Sequence, residues 1–147
     1  MLLRDGDVAI TLEQRAALAN TSRAQIYISI HADNLGTGVR VYTTLLPPTE
    51  AKRGPFLPWR TAQAEFMGAS QNLAGSIAAQ LTTAQIASRS LLAPVPPLDN
   101  VAGAAVAVEV APPSSDINEL NAANYQEQVA NAIAAGVAEA RRLAVAQ

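Results

Sequence analysis

The stretch Gln25 to Asn34, Gln-Ile-Tyr-Ile-Ser-Ile-His-Ala-Asp-Asn, constrains the fold more than any other. Its centre, Ile26 to Ile30, is β-branched and aromatic and too short for a helix. It stops in Ala-Asp-Asn ahead of Gly36 and Gly38, which predicts a buried strand. His31, the only histidine in 147 residues, stands where that strand ends. In open α/β sheets ligands gather outside the carboxyl ends of strands, so His31 is the first candidate for chemistry.

A second apolar run, Ala104 to Val110, reads as another buried strand and carries Glu109 at its far end before Pro112 and Pro113 stop it. Val39 to Thr44 alternates Val39, Val41 and Thr43 with Arg40, Tyr42 and Thr44, the period-two pattern of a strand with one covered face. Helices fill the spaces between. Thr11-Leu12-Glu13-Gln14 fits a capping box and opens a helix from Leu12 to about Asn20. Phe66, Leu73, Ile77 and Leu81 form one stripe of a helix from about Thr61 to Thr83. Tyr125, Val129, Ile133, Val137 and Ala140 do the same for a last helix from about Ala122 to Val145.

The remaining segments read as connections. Met1 to Arg4 resembles the last residues of a strand entering the turn Asp5-Gly6-Asp7. Pro47, Pro48, Pro55 and Pro58 make Leu45 to Arg60 a loop or insertion, and Pro94, Pro96 and Pro97 mark Arg89 to Asn100 as proline-rich. The whole predicts a single α/β domain over residues 1–147, a sandwich with a mostly parallel central sheet flanked by helices. The irregular order of elements fits one antiparallel strand.

Composition narrows the function classes. A net charge of −2 and scattered lysines and arginines argue against a nucleic-acid partner. The absence of cysteine removes disulfides, thiolate metal sites and cysteine nucleophiles together. No apolar run approaches the roughly 20 residues that span a bilayer. The first residues lack the features of a signal peptide, so any export signal is expected outside this chain.

Glu109 at the end of an apolar strand needs a reason, because burying an ionised carboxylate costs several kcal/mol unless it is paired, metal-bound or left facing a solvated cleft. As functional groups, Glu109 suits a general base and His31 a neutral metal ligand. As structural groups, His31 would hydrogen-bond a backbone carbonyl and Glu109 would pair with an arginine such as Arg40 or Arg89. Ser29, His31 and Glu109 do not read as a hydrolytic triad, since Ser29 and His31 leave one strand two residues apart with no oxyanion hole nearby. Phe56 and Trp59 in the proline segment would either stack on a sugar or peptide or pin the loop to the body.

In chain order these residues resemble the zinc-dependent N-acetylmuramoyl-L-alanine amidases of the bacterial cell-wall autolysin type. Leu3-Arg4-Asp5-Gly6-Asp7, Leu12, Arg15 and Ala19-Asn20 are similar to the family's Thr-Arg, Asp, Leu, Arg, Ala-Asn segment. Ile28-Ser29-Ile30-His31-Ala32-Asp33 resembles its Ser-Ile-His-Ala-Asn strand end, and Gly38 to Tyr42 the strand after it. Val106-Ala107-Val108-Glu109 resembles its Leu-Val-Glu strand; Asn118-Glu119-Leu120, Tyr125, Ala130, Ala132-Ile133 and Gly136-Val137 match its closing helix. Val110 to Ser115 replaces the family's Gly-Phe-Ile-Ser-Asn.

The resemblance implies peptidoglycan as substrate, in the periplasm or cell envelope, and hydrolysis of the amide between N-acetylmuramic acid and the L-alanine of the stem peptide. It implies Zn2+ as cofactor, with His31 at the second zinc histidine and Glu109 at the catalytic glutamate. The family's first zinc histidine and its metal-binding glutamate precede the segment that matches Leu3-Arg4. The chain is therefore expected to lack the family's first strand and helix and to offer an incomplete zinc site. If that strand is internal to the sheet, its absence exposes unpaired backbone edges. The alternative expectation is a degenerate, non-catalytic domain that binds cell-wall peptide or a protein partner.

Overall fold

A computed structural model describes residues 1–3, 6–46 and 59–145. Arg4 and Asp5 of the first motif, most of the proline segment including Phe56, and the side chain of Trp59 lie outside the described residues.

The described elements are α1 (Leu12–Thr21), β1 (Ile26–Ala32), β2 (Val39–Thr44), α2 (Met67–Thr83), β3 (Ser88–Ala93), β4 (Ala104–Val110) and α3 (Ala123–Val145). Short 3-10 turns occupy Trp59–Phe66, Leu98–Asn100 and Ile117–Asn121. The capping box forms as expected: Gln14 N donates to Thr11 Oγ1 at 3.2 Å and Thr11 N donates to Gln14 Oε1 at 2.9 Å. Two backbone donors that a helix start leaves orphaned are thereby satisfied.

The sheet has the order β1-β4-β2-β3. β1 pairs with β4 and β2 with β3 in parallel, while β2 runs antiparallel to β4. The one antiparallel junction lies at the centre of the sheet. Gly38 makes the entry to β2 possible: its φ is +77°, and a Cβ there would sit 2.4 Å from the carbonyl oxygen of Ala87.

Because side chains alternate along a strand, β4 sends Val106, Val108 and Val110 to one face and Ala105, Ala107 and Glu109 to the other. The first face packs on α2 and α3 through Leu73, Ile77, Leu81, Val129 and Ile133. The helices approach so closely there that a Cβ on Gly136 would lie 2.5 Å from Ile77 Cα. The second face is covered more thinly, by Ala16 and Ala19 of α1 with Leu98 and Val101 against Tyr27, Ala105 and Ala107.

Polar ties fix the start of β4. Ala105 N donates to Ser70 Oγ at 2.9 Å, and the buried Gln63 amide donates to Ser70 Oγ and to the Gly103 carbonyl. Asn20 joins α1 to the same approach: its amide donates to the Asn100 carbonyl at 2.9 Å and its oxygen accepts from Ala102 N at 2.8 Å.

Four sequence expectations change. The run Ile26 to Ile30, read as a buried strand, is the edge strand of the described sheet: only Tyr27 is buried and Ile30 is exposed, because β4 covers one side of the strand alone. The segment Arg89 to Asn100, read as a proline-rich connection, begins inside a strand, Ser88–Ala93, because pairing with β2 supplies the ladder that its polar sequence does not advertise. Residues up to Phe66 form a 3-10 turn, so the regular helix starts at Met67. Met1, Leu2 and Leu3 are not in a strand, and Leu3 packs against the thin face.

Candidate active site

The register of β1 and β4 sets His31 directly beside Glu109, near the carboxyl ends of two parallel strands. Adjacent strands lie about 4.8 Å apart, so these residues are neighbours. Arg40 on β2 is the partner of Glu109 on its other side, and Arg89 on β3 is the partner of Arg40. His31, Glu109, Arg40 and Arg89 thus form one row across the sheet. The row lies on the thin face, since Glu109 shares the alternation of Ala105 and Ala107.

Within the row, Arg40 Nε donates to Glu109 Oε2 at 3.1 Å. Its second nitrogen donates to the Leu35 carbonyl at 2.9 Å, and its third is paired with Asp33 Oδ2. Burial works against the Arg40 charge, but the Glu109 hydrogen bond and the nearby Tyr42, Asp33 and Glu109 outweigh it and hold the guanidinium above its ordinary pKa. Burial first, and then the Glu109 carboxylate, push the Tyr42 phenol up. Glu109 is therefore a partly exposed carboxylate in a polar cluster, paired with one of the arginines foreseen for it.

His31 is exposed, and its Nε2 shares a 2.7 Å hydrogen bond with Ser29 Oγ in place of a backbone carbonyl. With Glu109 held by Arg40, this contact is not part of a triad. His31 closes one end of a groove of about 470 Å³ along the outer edge of β1, lined also by Met1, Leu3, Arg15, Tyr27 and Ser29. Behind the row, Tyr125 Oη donates to the Ala111 carbonyl at 2.7 Å and anchors the chain just after Glu109.

Sequence reasoning placed His31 and Glu109 at strand ends; their adjacency and the turn that brings Asp33 to Arg40 became visible only in the structure. The signal for the turn was present in Gly36 and Gly38. Both adopt positive φ, and a Cβ on Gly36 would come within 3.1 Å of the Arg40 guanidinium.

A catalytic zinc site requires three protein ligands with an open position. Among the described residues no three His, Cys, Asp or Glu side chains gather to hold a metal ion. The carboxylates nearest to the row, Asp33 and Glu109, are both engaged by Arg40. The described residues alone do not fit the group. No helix among them is long and apolar enough to cross a membrane.

Comparison with known proteins agrees with this architecture. The profile of the Amidase_3 family, described as N-acetylmuramoyl-L-alanine amidase, matches residues 1–139. The chain is similar to the crystal structure of the N-acetylmuramyl-L-alanine amidase of Mycobacterium smegmatis, with a TM-score of 0.68 and 25% identity over 93% of this chain and 64% of that one. It is also similar to the catalytic domain of CwlV from Bacillus (Paenibacillus) polymyxa var. colistinus, with a TM-score of 0.65 and 23% identity over 92% and 68%. The amidase of Clostridium difficile 630 has a TM-score of 0.63 and 22% identity over 93% and 68%. The chain thus spans about two thirds of the length of these structures. No curated protein matches it in sequence. The chain belongs to the Amidase_3 family of N-acetylmuramoyl-L-alanine amidases, hydrolases of peptidoglycan.

Proposed function

We propose that Glu109 is the catalytic carboxylate of a cell-envelope peptidoglycan amidase, with His31 as a zinc ligand beside it. The observation that carries this reading is the register pairing of His31 with Glu109 on one face, near the carboxyl ends of parallel strands. The bond at issue joins the lactyl group of N-acetylmuramic acid to the L-alanine of the stem peptide. Glu109 takes a proton from water as the water oxygen attacks the carbonyl carbon. The carbon–nitrogen bond then breaks, and the proton passes to the departing amine of L-alanine. Zinc enters this reading through His31 alone, since the described residues offer no complete ligand set. A peptidoglycan substrate supports a location in the periplasm or elsewhere in the envelope.

One observation favours a second reading, a non-catalytic domain that binds cell-wall peptide: Arg40 engages both Asp33 and Glu109. Incubating purified peptidoglycan with the protein expressed from its natural reading frame separates the two, with zinc content measured alongside. The amidase reading expects released stem peptides with free L-alanine amino groups, intact glycan strands, and less zinc in His31→Ala. Retention on peptidoglycan without release, with zinc content unchanged in His31→Ala, would overturn it in favour of the second.

A further inference from the structure

The guanidinium of Arg40 has a partner for every nitrogen: Glu109 through Nε, the Leu35 carbonyl and Asp33 through the other two. Two of these partners belong to the turn after β1. That turn is itself built locally: Leu35 N donates to Asp33 Oδ1 at 3.0 Å, and Gly36 and Gly38 take the positive φ that closes it. Arg40 is thus anchored independently of Glu109, with its side chain only 20% exposed.

We propose that Arg40 is the positioning residue of the Glu109 carboxylate in the amidase reaction, and that Asp33 is the anchor that aims it. A free glutamate side chain on a half-open strand end samples several rotamers, whereas a carboxylate oxygen docked on a fixed donor is confined to few. The contact engages Oε2. Misplacing a reacting group by about 1 Å costs on the order of 10²-fold in rate, so aiming Glu109 is worth a dedicated side chain.

The assignment rests on the amidase reading, and its test is peptidoglycan turnover by the protein from its natural reading frame. Arg40→Ala is expected to lower kcat about 10- to 100-fold with KM little changed, the range seen when a group that orients a site residue is lost. Arg40→Lys should recover only part, because a point ammonium cannot serve three separated partners. Asp33→Asn should lower kcat in the same direction by less. In a Glu109→Gln background, Arg40→Ala should add no further loss, whereas a structural role would subtract from both backgrounds alike. Unchanged or raised kcat in Arg40→Ala or Asp33→Asn, or additive losses in the double variant, would overturn the assignment while leaving the amidase reading intact. Absence of release by the unmodified protein overturns the amidase reading itself and the assignment with it.

Discussion

The two faces of the sheet are built from opposite materials. On the α2/α3 face, Val106 and Val108 meet Leu73, Ile77, Leu81 and Ile133, a layer of large aliphatic side chains. On the α1 face, Ala105 and Ala107 meet Ala16, Ala19 and Tyr27, and toward the carboxyl end of β4 small apolar residues give way to Glu109, paired with Arg40, which also engages Asp33. A single strand, β4, contributes to both, one residue apart. The contrast shows how a small domain divides its tasks: apolar burial on one side holds the sheet, which leaves the other side free to carry charges whose burial would otherwise weaken it.

Unequal sensitivity to substitution is the way to break this comparison. The largest effect on stability should come from Ile77→Ala, which empties the centre of the thick face. A loss of about 2–5 kcal/mol is expected in denaturant unfolding, with turnover per folded molecule unchanged. Gly136→Ala should follow. Its new methyl would collide with the backbone of Ile77 and force α2 and α3 apart, at a cost of about 1–3 kcal/mol. On the thin face, Asn20→Ala removes both ties to Asn100 and Ala102 and should cost about 1–2 kcal/mol. A loss there as large as that at Ile77 would erase the distinction between the faces.

The smallest effect concerns pH. Burial raises the phenols of Tyr27 on the thin face and Tyr125 on the thick face above the ordinary value of 10.0. A raised folded-state value means that the native state keeps its proton where the unfolded chain has begun to lose it. This contribution is fully present below about pH 10 and is lost as pH rises through the folded values. Melting temperatures should therefore be flat in mildly alkaline buffer and fall above pH 10.0. Replacing Tyr125 by Phe should soften that fall.

How much of this was legible in the sequence follows from the range of the forces. The Thr11–Gln14 capping box is local chemistry and was readable as written. β2 and β4 announce themselves because burial imposes an apolar pattern on them, and β1 through its β-branched and aromatic run, although only its Tyr27 is buried. β3 does not: Ser88-Arg89-Ser90 lies at the sheet edge, mostly exposed, and becomes a strand only through its ladder with Val39 to Thr44. At the site, charge complementarity made Arg40 a candidate partner of Glu109, and the structure selects it over Arg89. Asp33 was invisible in that role because its approach depends on the turn at Gly36 and Gly38, a conformation that residue types permit without specifying. The contact of His31 with Ser29, by contrast, follows from the strand itself, since residues two apart share a strand face.

The division of labour between the faces is settled by one variant, Glu109→Gln, assayed for stem-peptide release and for thermal unfolding in parallel. Glu109 on the thin face is expected to matter for turnover alone: release should fall by roughly 10²- to 10⁴-fold, the contribution of a general base, while the melting temperature stays close to that of the unmodified protein. Release that survives the substitution, or a melting temperature that falls as far as it does for Ile77→Ala, would show that Glu109 is a structural half of the Arg40 ion pair and not the catalytic carboxylate.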